Sequence, residues 1–312
     1  MSALICGSMA YDNIMVFPGR FQEHILADQL HILNVAFLVP EMRKEFGGCA
    51  GNIAYNLRML GGDPLIMATV GRDFAAYRDL LANQAVNEKY ITEIPETFTA
   101  QAYITTDLDD NQITAFHPGA MDCSHRNEVP VDGGISVGMI SPDGRQGMLE
   151  HAAQFAAGNI PFIFDPGQGL PMFNGDELKI FIEQASWVAV NDYEGQLLQE
   201  RTGWSAEKIA ARVEAYIVTR GGSGSKIYTD GKELAIPAVK PREIVDPTGC
   251  GDAYRAGLLF GITNGLSWED TGRLASLIGA IKIADRGTQN HEFTRASLAQ
   301  DFEAAFDYAI SL

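Results

Sequence analysis

Short apolar runs alternate along this chain with segments whose apolar residues recur every three or four positions. Leu4–Cys6, Ala102–Thr105, Pro161–Phe164, Trp187–Val190, Tyr216–Thr219 and Lys226–Thr229 are rich in β-branched and aromatic residues and predict strands. Helical spacing predicts helices over Ala50–Leu60, Asp73–Asn83, Glu177–Gln184, Glu194–Thr202, Ala206–Val213, Asp252–Thr263, Trp268–Ala284 and Thr294–Tyr308. The first of these stops at Gly61 and Gly62. Strands alternating with helices predict an α/β fold with a mainly parallel sheet covered on both faces. Two stretches break the rhythm, Asn13–Phe46 and Pro95–Met121, with Asn34–Pro40 and Gln101–Phe116 as hairpin material. They predict either a β-sheet lid beside a site or an edge hairpin that merely extends the main sheet. No repeat, low-complexity tract or linker divides the chain, so one domain is expected over residues 1–312, with lid segments about 13–46 and 95–121 inserted in it.

Composition narrows the function. Hydrophobic residues make up 46% of the chain, enough for a sizeable core. The net charge of −17 argues against nucleic acid or an anionic membrane as partner. It also means that a phosphate ligand would have to be held locally, by loop amides, helix N-termini, a few basic side chains or a metal ion. No apolar run reaches the roughly 18 residues a membrane-spanning helix needs. The first residues, MSALICGSMAYD, carry no signal-peptide pattern, and Cys6, Cys49, Cys123 and Cys250 are scattered. These features predict a cytoplasmic protein with reduced thiols.

The richest chemistry lies in residues 245–257, VDPTGCGDAYRAG. Gly249 and Gly251 free the backbone for a tight loop, and a helical pattern begins at once. Loop amides at Gly249, Cys250 and Gly251, with the helix N-terminus, then converge on one spot, a preformed anion site. Asp252 opens the helix. There it is either a base able to take the proton of an attacking hydroxyl or a simple helix cap. Other phosphate and dinucleotide motifs are absent: GSGSK at 222–226 lacks Walker spacing, and no GxGxxG follows the first strand.

Here the sequence resembles the ribokinase-like, or PfkB, family of carbohydrate and nucleoside kinases. DPTGCGD at 246–252 is similar to the family's second signature, with Cys250 where alanine is usual, and FGGCAGN at 46–52 is similar to its first. NDYE at 191–194 resembles the N-x-x-E motif, TRGGSG at 219–224 the strand–turn beside the nucleotide phosphates, and GSMAYD at 7–12 the first strand with its substrate aspartate. The five elements occur in the family's order.

The resemblance implies a three-layer α/β/α ribokinase-like fold with a small β-sheet lid, and an ATP-dependent kinase with Asp252 as base. It implies that Asp12, Gly48 and Asn52 bind ribose-type hydroxyls. Asn191, Thr219, Gly221 and Gly224 would serve ATP, and Glu194 would position Mg2+ through water. A monovalent cation such as K+ beside Asp246 is an open alternative. The run GTQNH at 287–291 resembles a segment of the family's adenosine kinases. The lid also carries Phe17, Phe37, Tyr103 and Phe116, which could stack on a purine or form the lid's own core; Phe116 is the candidate base contact. The expected acceptor is therefore a nucleoside, adenosine first. A ribokinase-type pentose or hexose kinase and a non-catalytic nucleotide sensor are the alternatives, and either a monomer or a homodimer fits.

Overall fold

The computed structural model of the protein describes residues 1–25, 34–109 and 111–312. A large sheet runs in the order β13 (Lys232–Ile236), β12 (Ser225–Thr229), β11 (Ala215–Thr219), β10 (Trp187–Asn191), β9 (Phe162–Phe164), β8 (Ile135–Ile140), β1 (Ser2–Cys6), β4 (Asp63–Gly71), β5 (Asn87–Ile94). From β11 to β5 every pairing is parallel; β12 and β13 add an antiparallel edge. The central strands are buried on both faces, which is why runs such as FIF and WVAV read as continuous apolar stretches rather than alternating ones.

Helices cover both faces. On one lie α1 (Cys49–Met59), α2 (Ala75–Asn83), α7 (Cys250–Thr263), α8 (Trp268–Lys282) and α9 (Arg295–Phe306), packed through Ile53, Leu57, Leu81, Leu258, Leu274 and Phe302. On the other lie α3 (Arg145–Ala157), α4 (Gly175–Gln184), α5 (Asp192–Thr202) and α6 (Ala206–Ala210), packed through Met148, Phe155, Phe181, Leu198 and Ile209. This is the expected three-layer ribokinase-like fold.

A second sheet of four strands, β3 (Glu41–Gly47), β2 (Ala10–Val16), β6 (Ala100–Thr106) and β7 (Gln112–His117), stands apart from the first. The insertions therefore form a separate sheet rather than an extension of the main one. One detail differs from expectation: residues 34–40 form no strand, and the pairing segment begins at Glu41. Expectation also passed over β4, β5, β8, β13 and α3. In β8 the Gly138 backbone packs directly on the Phe155 ring, so close contact replaces the side chain that a strand pattern would show.

The sheet order reverses at β1, whose neighbours β4 and β8 lead outward in opposite chain directions. In open α/β sheets the crevice at the carboxyl ends of strands near such a reversal is where ligands bind.

Candidate active site

The carboxyl ends of five parallel strands feed one cavity of about 690 Å3: Ser8 after β1, Asp143 after β8, Asp165 after β9, Asn191 ending β10 and Thr219 ending β11. Two helix starts close it from the opposite side. Helix α1 begins after Gly48 (φ 89°) and α7 after Gly249 (φ 80°), conformations that favour glycine. At Gly48 the close approach of the Ser8 carbonyl and the Ala10 amide would also exclude a Cβ. The N–H of Cys250 is directed to the Pro247 carbonyl at 3.2 Å. Helix geometry leaves the N–H groups of Gly251 and Asp252 without intrahelical acceptors.

The small sheet roofs the cavity. Its register aligns Asp12 with Ala102 and Ala102 with Phe116, and the next row on that face aligns Ile104 with Thr114. All five line the cavity, as the two-residue period of a strand requires.

At the polar end, Asp252 Oδ2 accepts from Asn52 Nδ2 at 2.8 Å. Asn52 Oδ1 accepts from Gln289 Nε2 at 3.0 Å, and Gln289 also donates to the Tyr77 hydroxyl at 2.6 Å, which itself donates to the Gly47 carbonyl at 3.0 Å. This relay settles the amide orientation of Asn52 and leaves Oδ1 of Asp252 for another partner. Burial pushes the Asp252 carboxyl up to about 7, assisted by the nearby Asp165 and opposed by the Asn52 bond. Burial, with Glu45 and Asp246 adding repulsion, raises Asp12 to about 6. Burial also raises Asp143 to about 8, against the Gly144 N–H bond.

One turn beyond Asp252, Arg255 is buried and donates from Nη2 to Asp165 Oδ1 at 2.9 Å. Asn191 and Glu194 cap α5 reciprocally: the Asn191 amides reach both carboxylate oxygens of Glu194 at 2.8 Å. Burial raises the Glu194 carboxyl, with Asp165 second. Each of its oxygens keeps a free lone pair, which suits contact with the water shell of Mg2+. Among the described residues no group of three or more His, Cys, Asp or Glu could cage a metal.

Of the residues singled out in sequence, Asp12, Gly48, Asn52, Phe116, Asn191, Glu194, Thr219, Gly249, Gly251 and Asp252 line this one cavity. Gly221, Gly224, Asp246 and Cys250 do not. Gly224 lets its backbone pass close to the Ile236 carbonyl. Asp246 braces the anion loop, accepting from the N–H groups of Thr248 and Gly287 at 2.9 Å each; these outweigh burial and hold its carboxyl below the usual range. Burial lifts the Cys250 thiol to about 11, so it is no thiolate nucleophile. Among the lid aromatics, Phe17 and Phe37 pack on each other (ring centroids 4.8 Å) as lid core, and Tyr103 donates to Gln101. Sequence reasoning missed Asp143, Asp165, Arg255 and the role of Gln289. Arg255 had a visible signal: a charged residue inside the buried apolar run 253–261 has to be paired.

The sequence profile of pfkB family carbohydrate kinases matches residues 8–295. This chain belongs to the pfkB family. As such it is an ATP-dependent phosphotransferase acting on a hydroxyl acceptor. This pfkB kinase is similar to a nucleoside kinase of Methanocaldococcus jannaschii, with 33% identity over 261 residues covering 83% of this chain and 85% of the relative. It is also similar to the solved nucleoside kinase of Burkholderia thailandensis. The complex of that enzyme with inosine shows 52% identity and a TM-score of 0.90, covering 98% of this chain and 99% of the other. A second structure of that enzyme, in complex with ADP-inosine, shows 54% identity and a TM-score of 0.87, covering 98% and 97%.

Proposed function

We propose that this pfkB kinase transfers the γ-phosphoryl group of ATP to the 5′-hydroxyl of a nucleoside, with adenosine as acceptor, AMP as product and Asp252 as general base. The observation that carries this reading is the cavity's lining, in which a buried carboxylate held by Asn52 and the first turn of α7 face the same space as an apolar row of Ala102, Ile104 and Phe116. Its volume falls within the range of small-molecule sites, roughly 300–1,000 Å3. The nucleoside kinases to which the chain is similar support the same acceptor class.

When bound, Mg2+-ATP supplies the phosphoryl group and the charge that neutralises it. The chain's residues do the rest. Asp12 and the Gly48 backbone bind ribose hydroxyls, and Phe116 lies against the purine. Asp252 takes the proton of the 5′-hydroxyl as the oxygen attacks the γ-phosphorus and the bond to the β,γ-bridging oxygen breaks, with ADP leaving. The N–H groups of Gly251 and Asp252 donate to the phosphoryl oxygens as negative charge spreads over them. Glu194 and Asn191 would hold the metal's water shell, and Thr219 at the cavity, with the turn at Gly221 and Gly224 just beyond it, would follow the nucleotide phosphates. Such an enzyme would serve purine salvage in the cytoplasm.

An acceptor panel of adenosine, inosine, ribose and fructose, assayed with ATP and Mg2+, tests this. Stacking worth about 1–3 kcal/mol predicts adenosine ahead of either free sugar by about ten- to a hundredfold in kcat/KM. Faster turnover of ribose or fructose would overturn the nucleoside reading, and inosine ahead of adenosine would overturn the adenosine assignment alone.

A further inference from the structure

Lys282 ends α8 and is 0% exposed. A buried ammonium is costly unless polar groups surround it. Here Nζ donates to the backbone carbonyl of Asp246 at 2.8 Å and to that of Asp285 at 3.2 Å. Both carbonyls belong to segments that frame the anion loop. Asp246 begins the loop. Asp285 begins the turn whose Gly287 N–H reaches Asp246 Oδ2, and whose Thr288 lies against Gly249. The carbonyl of Ile283 accepts from the N–H groups of both Val245 and Asp246, tying the end of α8 to the same loop. Backbone oxygens gathered at the negative end of a helix suit a monovalent cation. In this chain the charge is already present on a tethered side chain. Burial lowers the Lys282 pKa, while the Asp246 and Asp285 carboxylates act to keep it charged.

The family resemblance allows K+ beside Asp246, and there the Lys282 ammonium already occupies the Asp246 backbone carbonyl. We propose that the Lys282 ammonium replaces a monovalent cation beneath the anion loop, acting as a positioning residue for the loop amides and making turnover independent of K+. The proposal rests on phosphoryl transfer at this loop, whichever acceptor is used.

Two arms test it. In the first, wild-type enzyme is assayed, and its melting temperature measured, in K+, Na+ and tetramethylammonium at constant ionic strength; turnover is expected to change by less than about twofold. Saturable activation by K+ of about fivefold or more would overturn the proposal. In the second, Lys282→Ala and the isosteric, neutral Lys282→Met are compared. Both are expected to lose about tenfold or more in kcat. The alanine variant, with space opened between the two carbonyls, should regain melting temperature and activity with K+ or methylammonium, and the methionine variant should not. Full activity of Lys282→Met would overturn the positioning role. Melting temperature and ATP binding read cation dependence without turnover, so a wrong acceptor assignment would not disguise the result. Should both variants fail to fold, the wild-type arm decides.

Discussion

As the proposed base, Asp252 must be charged to accept a proton, yet it sits where charge is penalised. Burial is the larger influence and lifts its carboxyl to about 7; the Asn52 bond and Arg255 pull the other way. A base whose pKa lies near the working pH is well matched to proton transfer. Below that value Asp252 is protonated and inactive. The expected pH profile of kcat/KM therefore rises from acid and levels above about pH 7. Asp252→Asn should lower kcat by about 10²-fold or more, abolish that limb and leave nucleotide affinity largely unchanged. Wild-type turnover in this variant would remove Asp252 from the mechanism. At this scale the motif residues were legible because their types are bound to their chemistry. Asp165 and Gln289 were not, because an aspartate after a strand and a glutamine in a turn have many ordinary uses.

Among the elements, the site depends on two helices starting at one place. Gly48 and Gly249 allow both starts, but for different balances of reasons. A Cβ at Gly48 would lie 2.5 Å from the Ser8 carbonyl oxygen, whereas one at Gly249 would meet Thr288 at 3.0 Å. Gly265 also has positive φ, 66°, with nothing within 4 Å, and serves as a control. Gly265→Ala should lose about 1–2 kcal/mol of stability from left-handed strain alone and keep its activity. Gly48→Ala should lose at least that much and also raise the acceptor KM, because Ser8 and Ala10 must shift with the strand that carries Asp12. Unfolding titrations and steady-state kinetics on the pair check this; equal kinetics in both would show that the Gly48 contact does not shape the site. Apart from α3, the helices were legible from their spacing. β4 and β8 were not: a continuous apolar run such as PLIMATV carries no period, and Gly138 breaks the β8 pattern for the sake of a ring contact.

For the molecule as a whole, burying carboxylates makes stability depend on pH. Asp12, Asp252 and Asp143, at about 6, 7 and 8, are all raised from 3.8 by burial. The folded chain thus binds more protons than the unfolded one, so stability is lost as pH rises through these values and regained on acidification. His151 and His291 act in the opposite direction. Burial lowers both from 6.5, His291 to about 4, so unfolding takes up their protons below about pH 6.5. The melting temperature of the protein is expected to climb on acidification from about pH 8.5, with the two histidines offsetting part of the gain below about pH 6.5. A steady fall over that interval would show that the three carboxyls are not held in this way.

From residue order alone came the α/β class, the mainly parallel sheet, the two stretches that break its rhythm and the glycine turn before Asp252, because periodicity and backbone-permissive glycines are local properties written into short windows. Which lid aromatic faces the cavity, which carboxylate is lifted towards neutrality, and which cation lies beneath the loop were decided only by folding. Asn52 and Asp252 are 200 positions apart, Arg255 and Asp165 90, Lys282 and Asp246 36. Pairings of this kind depend on the sheet order, on which strand ends share a crevice, and on how deeply each group is withdrawn from water.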